Sequence, residues 1–196
     1  MDYNIYLLLG YLLGSIPFGL VLCYLAGYGD IRKIGSGNIG TTNVLRTGNK
    51  FLAIATLLLD SGKGAIAVCI TALMTDNNVI AVYAGLFAVI GHNFPVWLKF
   101  KGGKGVATTL GTILFISPAI GGSMLGVWIV TALLFKMSSL AGILAVVSTP
   151  LFAYMFGFNA LLLPFGIIAS MTVIKHRANI VRIINGTEDK IKLSRK

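Results

Sequence analysis

Charge is what this sequence has least of. Only 11% of its 196 residues are Asp, Glu, Lys or Arg, and just 6 are acidic. Hydrophobic residues make up 56%, and the mean hydropathy is +0.87. A water-soluble domain of this length could not bury so much apolar surface, so lipid is the expected solvent. Cysteine is nearly absent. Cys23 and Cys69 lie in apolar runs without metal-ligand spacing or a loop partner, which speaks against a disulfide and against zinc. Period-two alternation is missing, so no strand is predicted. The N-terminus carries Asp2 in place of a positive n-region. The first apolar run is therefore expected to remain as a spanning helix and not to be cleaved as a signal peptide.

The charge that is present is mostly basic, with a net value of +10. Its placement in short loops between apolar runs fits the positive-inside rule and anionic substrates better than nucleic acid. Apolar segments run at about 3–27, 51–74, 79–97, 105–117, 119–136, 138–156 and 159–175. They predict an all-α integral membrane protein of about seven transmembrane helices. It is expected to form one domain over 1–196, with 186–196 as a basic cytoplasmic tail. The fourth segment is short, rising about 20 Å against a hydrocarbon core of about 30 Å. With seven crossings, 15 of the 16 Lys and Arg fall on one side. They occupy the loop holding Arg32, Lys33, Arg46 and Lys50, the loop holding Lys99, Lys101 and Lys104, the turn at Lys136, and the tail from Lys175 to Lys190, Lys192, Arg195 and Lys196. The turns at 75–78, 117–118 and 157–158 have none. The N-terminus is therefore expected outside and the C-terminus in the cytoplasm. That segregation requires the fourth segment to cross.

The remaining cation is Lys63, three residues after Asp60 inside an apolar run. The two share a helix face and can pair. An ionisable pair within a membrane helix is costly, hence a functional candidate by default; the alternative is a buried pair that holds helices together. Two glycine pairs, Gly10 with Gly14 and Gly122 with Gly126, have the GxxxG spacing of close helix contacts.

Polar chemistry gathers in three clusters on the predicted cytoplasmic side. The first is "GSGNIGTTNVLR", with Ser36, Gly37, Asn38, Thr41, Asn43 and Arg46. The second is "GHNFPVWLKFKGGKGVAT", with His92, Asn93, Lys101, Gly102, Gly103, Lys104 and Thr108. The third is "KHRANIVRIINGTE", with His176, Arg177, Asn179, Arg182 and Glu188. Gly35, Gly37 and Gly40 match G-x-G-x-x-G, but a dinucleotide fingerprint needs a preceding strand and a βαβ unit, and here a spanning helix precedes it. "FKGGKGVAT" is not a Walker A loop, because Gly105 stands where Ser or Thr is required. What remains is the physics shared by those motifs: a flexible backbone whose N–H groups converge on a phosphate, with Lys and Arg to neutralise it. In the third cluster, His176, Asn179 and Arg182 are expected on one face of a helix continuing from the last span. Ile180, Ile183 and Ile184 mark its apolar side, and Asn185-Gly186 its stop. The two histidines, His92 and His176, fall at cytoplasmic ends of spans, where either can hold a phosphate or move a proton.

These blocks, with "GSIPFG" at 14–19 and "DSGKG" at 60–64, resemble the bacterial acyl-phosphate-dependent glycerol-3-phosphate acyltransferases in motif and order over nearly the whole chain. The resemblance implies transfer of an acyl group from acyl phosphate to glycerol-3-phosphate, giving lysophosphatidic acid and phosphate. It implies a seven-helix fold in the bacterial cytoplasmic membrane, with the active site facing the cytoplasm. Its partners would be the two substrates, membrane lipid and the soluble phosphate acyltransferase that makes acyl phosphate. No cofactor and no metal is expected. The H-x-x-x-x-D mark of thioester-using acyltransferases is absent, since Trp97 and Val181 stand five residues after His92 and His176. Ser36, Lys104, His92, His176 and Asn179 are expected to act in catalysis. Gly37, Asn38, Thr41, Asn43, Arg46, Asp60, Lys63, Lys101, Gly102, Gly103, Thr108, Arg177 and Glu188 are expected to hold substrate, with backbone N–H groups near Gly37 and Gly102–Gly103 assisting. A transporter for a phosphorylated anion is the alternative, but its site would lie near the midplane with access from both sides.

Overall fold

The computed structural model describes residues 3–191. The expectations for Asp2 and for Lys192, Arg195 and Lys196 fall outside the described residues. Among the described residues the chain is helical and has no strand. It divides into two compact units, Met1–Ile116 and Ser117–Lys196.

The first unit holds α1 (Asn4–Ser15), α2 (Phe18–Leu25), the short α3 (Thr41–Val44), α4 (Lys50–Thr75), α5 (Asn78–Asn93) and α6 (Val106–Ile116). The local reasons for these limits are legible. Asn49 caps α4 by accepting from Leu52 N, and Asn77 caps α5 by accepting from Val79 N and Ile80 N. Pro17 has no N–H to continue α1, so the first apolar run is two helices and not one. α4 packs against α1, α2, α5 and α6, and α1 packs along α5. The α1–α5 approach depends on glycine. A Cβ on Gly10 would lie 2.4 Å from the Ala84 carbonyl oxygen, and one on Gly14 would lie 2.0 Å from that of Ala88. This pair makes the close contact its spacing predicts.

The second unit holds α7 (Pro118–Phe135), α8 (Ser138–Val147), α9 (Thr149–Met155), α10 (Leu162–Lys175) and α11 (Arg177–Ile184). Ser117 caps α7, with Pro118 at its first position. α8 packs on α7, α10 and α11. Two expectations are corrected here. Gly122 and Gly126 meet nothing within 4 Å of an added Cβ, so their GxxxG spacing does not mark a helix contact. The last span does not run straight on into α11, because the axis bends by 60° at His176. Its Nδ1 shares the Thr172 carbonyl, at 2.8 Å, with its own backbone N–H at 3.0 Å. A side chain competing in the helical ladder is a recognised source of such a kink.

Among the described residues, five helical stretches are long and apolar enough to cross a membrane, or up to six if the bent pair is one span. The fourth apolar segment is α6, an 11-residue helix rising about 17 Å. Substituting Gly14 by Val should lower stability by about 2 kcal/mol or more, because rigid backbone occupies the space. Gly122→Ala should change it by less than about 1 kcal/mol. Thermal midpoints in detergent check both, and equal effects would contradict the packing described.

Candidate active site

The first polar cluster is a loop organised around one amide. Asn43 is buried at the start of α3. Its Nδ2 lies within 3.0 Å of the carbonyls of Ile31, Ile34 and Asn38, and its Oδ1 accepts from Ser36 N at 3.0 Å and from Ser36 Oγ at 3.3 Å. These contacts on both ends of the amide make Asn43 the residue that shapes the loop. Asn38 turns inward similarly, its Oδ1 accepting from Ile39 N. The Gly37 N–H donates to Ile34 O at 3.0 Å and is likewise committed to the loop. Gly35 has φ +55, and a Cβ there would lie 2.5 Å from Arg46 Cδ and Nη1. Its absence lets the Arg46 side chain fold over the loop next to Ser36, and both residues are exposed. Thr41 Oγ1 is buried without a hydrogen-bond partner. Arg32 is bound by Asp30 at 2.7 Å. Its hydrogen bonds hold the Asp30 carboxyl down at a pKa of about 2.

Beneath this loop lies a buried charged cluster. Lys63 is 3% exposed, and its Nζ makes three close polar contacts: Asp60 Oδ1 at 2.7 Å, His92 Nδ1 at 2.9 Å and Ile16 O at 2.9 Å. The Phe18 ring lies 5.7 Å from the same nitrogen. An ammonium has three donors, and all three are answered. Asp60 and Lys63 do pair as their spacing suggests. Both are buried and their partners are protein groups, as in a pair that holds helices together.

His92 connects this cluster to the second motif. Gly103 N donates to His92 O at 3.0 Å, and Gly102 N donates to Asn93 O at 3.2 Å. These two N–H groups are turned into the protein. The glycines serve packing. A Cβ on Gly102 would lie 2.2 Å from His92 O, and one on Gly103 would lie 2.0 Å from His92 Nε2. The turn leads to Lys104, which is half-buried, while Lys101 is exposed. Thr108 is fully buried in α6, and its carbonyl would lie 2.4 Å from a Cβ on Gly64. It packs α6 on α4, and its Oγ1 is buried without a hydrogen-bond partner.

In the second unit, Glu188 gathers the third cluster. Its Oε1 accepts from Ser139 Oγ at 2.6 Å and from Asn179 Nδ2 at 2.7 Å, and its Oε2 accepts from Arg182 Nε at 2.7 Å. Burial pushes the Glu188 carboxyl up, but these hydrogen bonds and the Arg182 charge outweigh it and hold the group below the usual glutamate range. Glu188 therefore orients Asn179 and Arg182. His176 and Asn179 are buried, and Arg177 is exposed. Sequence reasoning missed Ser139, the Ile16 carbonyl and Phe18. Only Pro17, a helix breaker inside an apolar run, hinted at the last two.

Because the folded pKa of Glu188 is lowered, its stabilisation is complete above the ordinary value of about 4.3. It is lost as pH falls through the lowered value. Glu188→Ala should therefore lower stability by about 2–3 kcal/mol at neutral pH. The gap to the wild-type protein should close in strong acid. Thermal midpoints of both proteins across pH check this, and a gap independent of pH would contradict it.

A family model described as "Glycerol-3-phosphate acyltransferase" matches residues 4–186. The glycerol-3-phosphate acyltransferase of Paramagnetospirillum magneticum is 56% identical over 182 residues, covering 93% of this chain and 90% of that protein. The protein of the same name from Rhodospirillum rubrum is 51% identical over 196 residues, covering 96% and 91%. Among solved structures, the crystal structure of PlsY (YgiH), an integral membrane glycerol 3-phosphate acyltransferase, is similar in two forms. The glycerol 3-phosphate form matches with TM-score 0.92 and 36% identity, covering 98% of this chain and 96% of that one. The lysophosphatidic acid form matches with TM-score 0.89 and 35% identity over the same shares. On sequence and fold together, this chain belongs to the glycerol-3-phosphate acyltransferase family.

Proposed function

We propose that this chain transfers a fatty acyl group from an acyl phosphate to the sn-1 hydroxyl of glycerol-3-phosphate. The products are lysophosphatidic acid and inorganic phosphate, and the reaction is the first step of phospholipid synthesis. The observation that carries this reading is the likeness to one solved fold described with glycerol 3-phosphate and again with lysophosphatidic acid. The second molecule is the first after acylation.

The chemistry asks for grip more than for a nucleophile. Acyl phosphate is a mixed anhydride with a good leaving group. The glycerol hydroxyl oxygen attacks the carbonyl carbon and the new ester C–O bond forms. The bond between the carbonyl carbon and the bridging phosphate oxygen breaks, and phosphate leaves with that oxygen and the electron pair. The hydroxyl proton passes to a basic group or to the released phosphate. The protein's part is to hold two phosphates and steady the oxyanion. Arg46 beside Ser36, and Lys104 after the glycine turn, have the charge and donors for this in the first unit. Thr41 and Lys101 are further polar groups of that unit; in the second unit, taken by itself, His176, Asn179 and Arg177 have matching chemistry. The acyl donor would arrive from a soluble phosphate acyltransferase and through the lipid.

The same reading places the protein in the bacterial cytoplasmic membrane with seven crossings, N-terminus outside, so that the basic loops and the site face the cytoplasm. Purified protein should form lysophosphatidate from glycerol-3-phosphate and palmitoyl phosphate, and not from palmitoyl-CoA or palmitoyl carrier protein. Activity with thioesters alone would overturn the donor. In the same assay Lys104→Ala should lower turnover by about a hundredfold or more while keeping the folded, monodisperse form. Near-normal turnover would remove Lys104 from the phosphate grip.

A further inference from the structure

The hydrogen bonds of the two histidines fix more than their positions. Lys63, as an ammonium, can only donate. Its Nζ lies 2.9 Å from His92 Nδ1, so that nitrogen presents its lone pair. The proton of the neutral ring then sits on Nε2, the edge that abuts Gly103 in the turn before Lys104. His176 is arranged the opposite way. Its Nδ1 lies 2.8 Å from the Thr172 carbonyl, which can only accept, so Nδ1 carries the proton there. The contrast is built in by the partners, an ammonium in one case and a carbonyl in the other.

We propose that Lys63, held by Asp60 and the Ile16 carbonyl, is a positioning residue that locks His92 in the Nε2–H tautomer, so that His92 serves the phosphate site as a hydrogen-bond donor and not as the base. Asp60 fixes Lys63 at 2.7 Å and lies 3.7 Å from His92 Nδ1. Without the ammonium that carboxylate would draw the proton to Nδ1 and turn the lone pair toward the glycine turn. A lone pair facing an incoming phosphate repels it, whereas an N–H attracts it. The Pro17 break supplies the third acceptor, since Ile16 O faces Lys63 where α1 ends. The donor role rests on the acyl-transfer reading above; the tautomer does not.

Nitrogen-15 histidine spectra of the detergent-solubilised protein test this directly, because the chain has 2 histidines. A His92→Gln variant assigns the signals, or His176→Gln if the first does not fold. The expected spectrum has His92 protonated on Nε2 and His176 protonated on Nδ1. A wild-type His92 protonated on Nδ1, or on both nitrogens, overturns the proposal whatever the variants do. Lys63→Met should then move the His92 proton to Nδ1. It should also raise the KM for glycerol-3-phosphate by roughly tenfold to a hundredfold, more than it lowers kcat. Lys63→Arg should restore the tautomer and most of the affinity. A loss of folded protein lowers kcat alone and would not produce that split. An unchanged His92 tautomer in Lys63→Met would remove Lys63 from the role. Wild-type protein inactive with every acyl donor would refute the acyl-transfer reading and leave the tautomer assignment standing.

Discussion

A charge buried among membrane helices has to be surrounded by its own partners, and Lys63 imposes that constraint on half of the chain. Its ammonium draws in Asp60 from its own helix, His92 from the end of α5 and the Ile16 carbonyl from the break after α1. Each neighbour of the cluster follows. α1 runs close enough to α5 because Gly10 and Gly14 have no side chain. The turn after α5 folds back on His92 because Gly102 and Gly103 have none either. An isolated buried charge would cost several kcal/mol. The three answered donors explain why so much of the local geometry is organised about one residue in this molecule.

The glycine-rich loops are also built differently from nucleotide-binding ones. In a nucleotide-binding loop, glycines release backbone N–H groups toward the ligand. Here the N–H groups of Gly37, Gly102 and Gly103 are hydrogen-bonded inside the protein. Glycine instead admits a neighbour: Arg46 over Gly35, and the His92 ring against Gly103. On the proposed reading, the grip on anionic substrates falls to side chains, and the glycines decide where those side chains stand.

Much of this was legible in the sequence. Helical class, membrane solvent, the Asp60–Lys63 pair and the three polar clusters all follow from hydropathy, spacing and charge. The roles of single polar residues were less legible. For Asn43, Glu188 and Thr108, sequence alone does not tell a side chain that binds a ligand from one that binds its own fold. The structure engages Asn43 and Glu188 with several protein partners each, and seats Thr108 at a helix crossing. The kink at His176 and the capture of Glu188 by Ser139, 49 residues away in sequence, depend on tertiary geometry that no local pattern records. The Gly122–Gly126 pair shows the converse, since its spacing has no packing partner in the structure.

The account holds that this protein positions two phosphates for direct transfer and never carries the acyl group itself. Intact-mass spectrometry of purified protein incubated with palmitoyl phosphate, in the absence of glycerol-3-phosphate, tests that most directly. The predicted result is an unmodified protein mass with no stoichiometric burst of phosphate. A palmitoyl adduct, at Ser36 or elsewhere, that glycerol-3-phosphate then discharges into lysophosphatidate would contradict it.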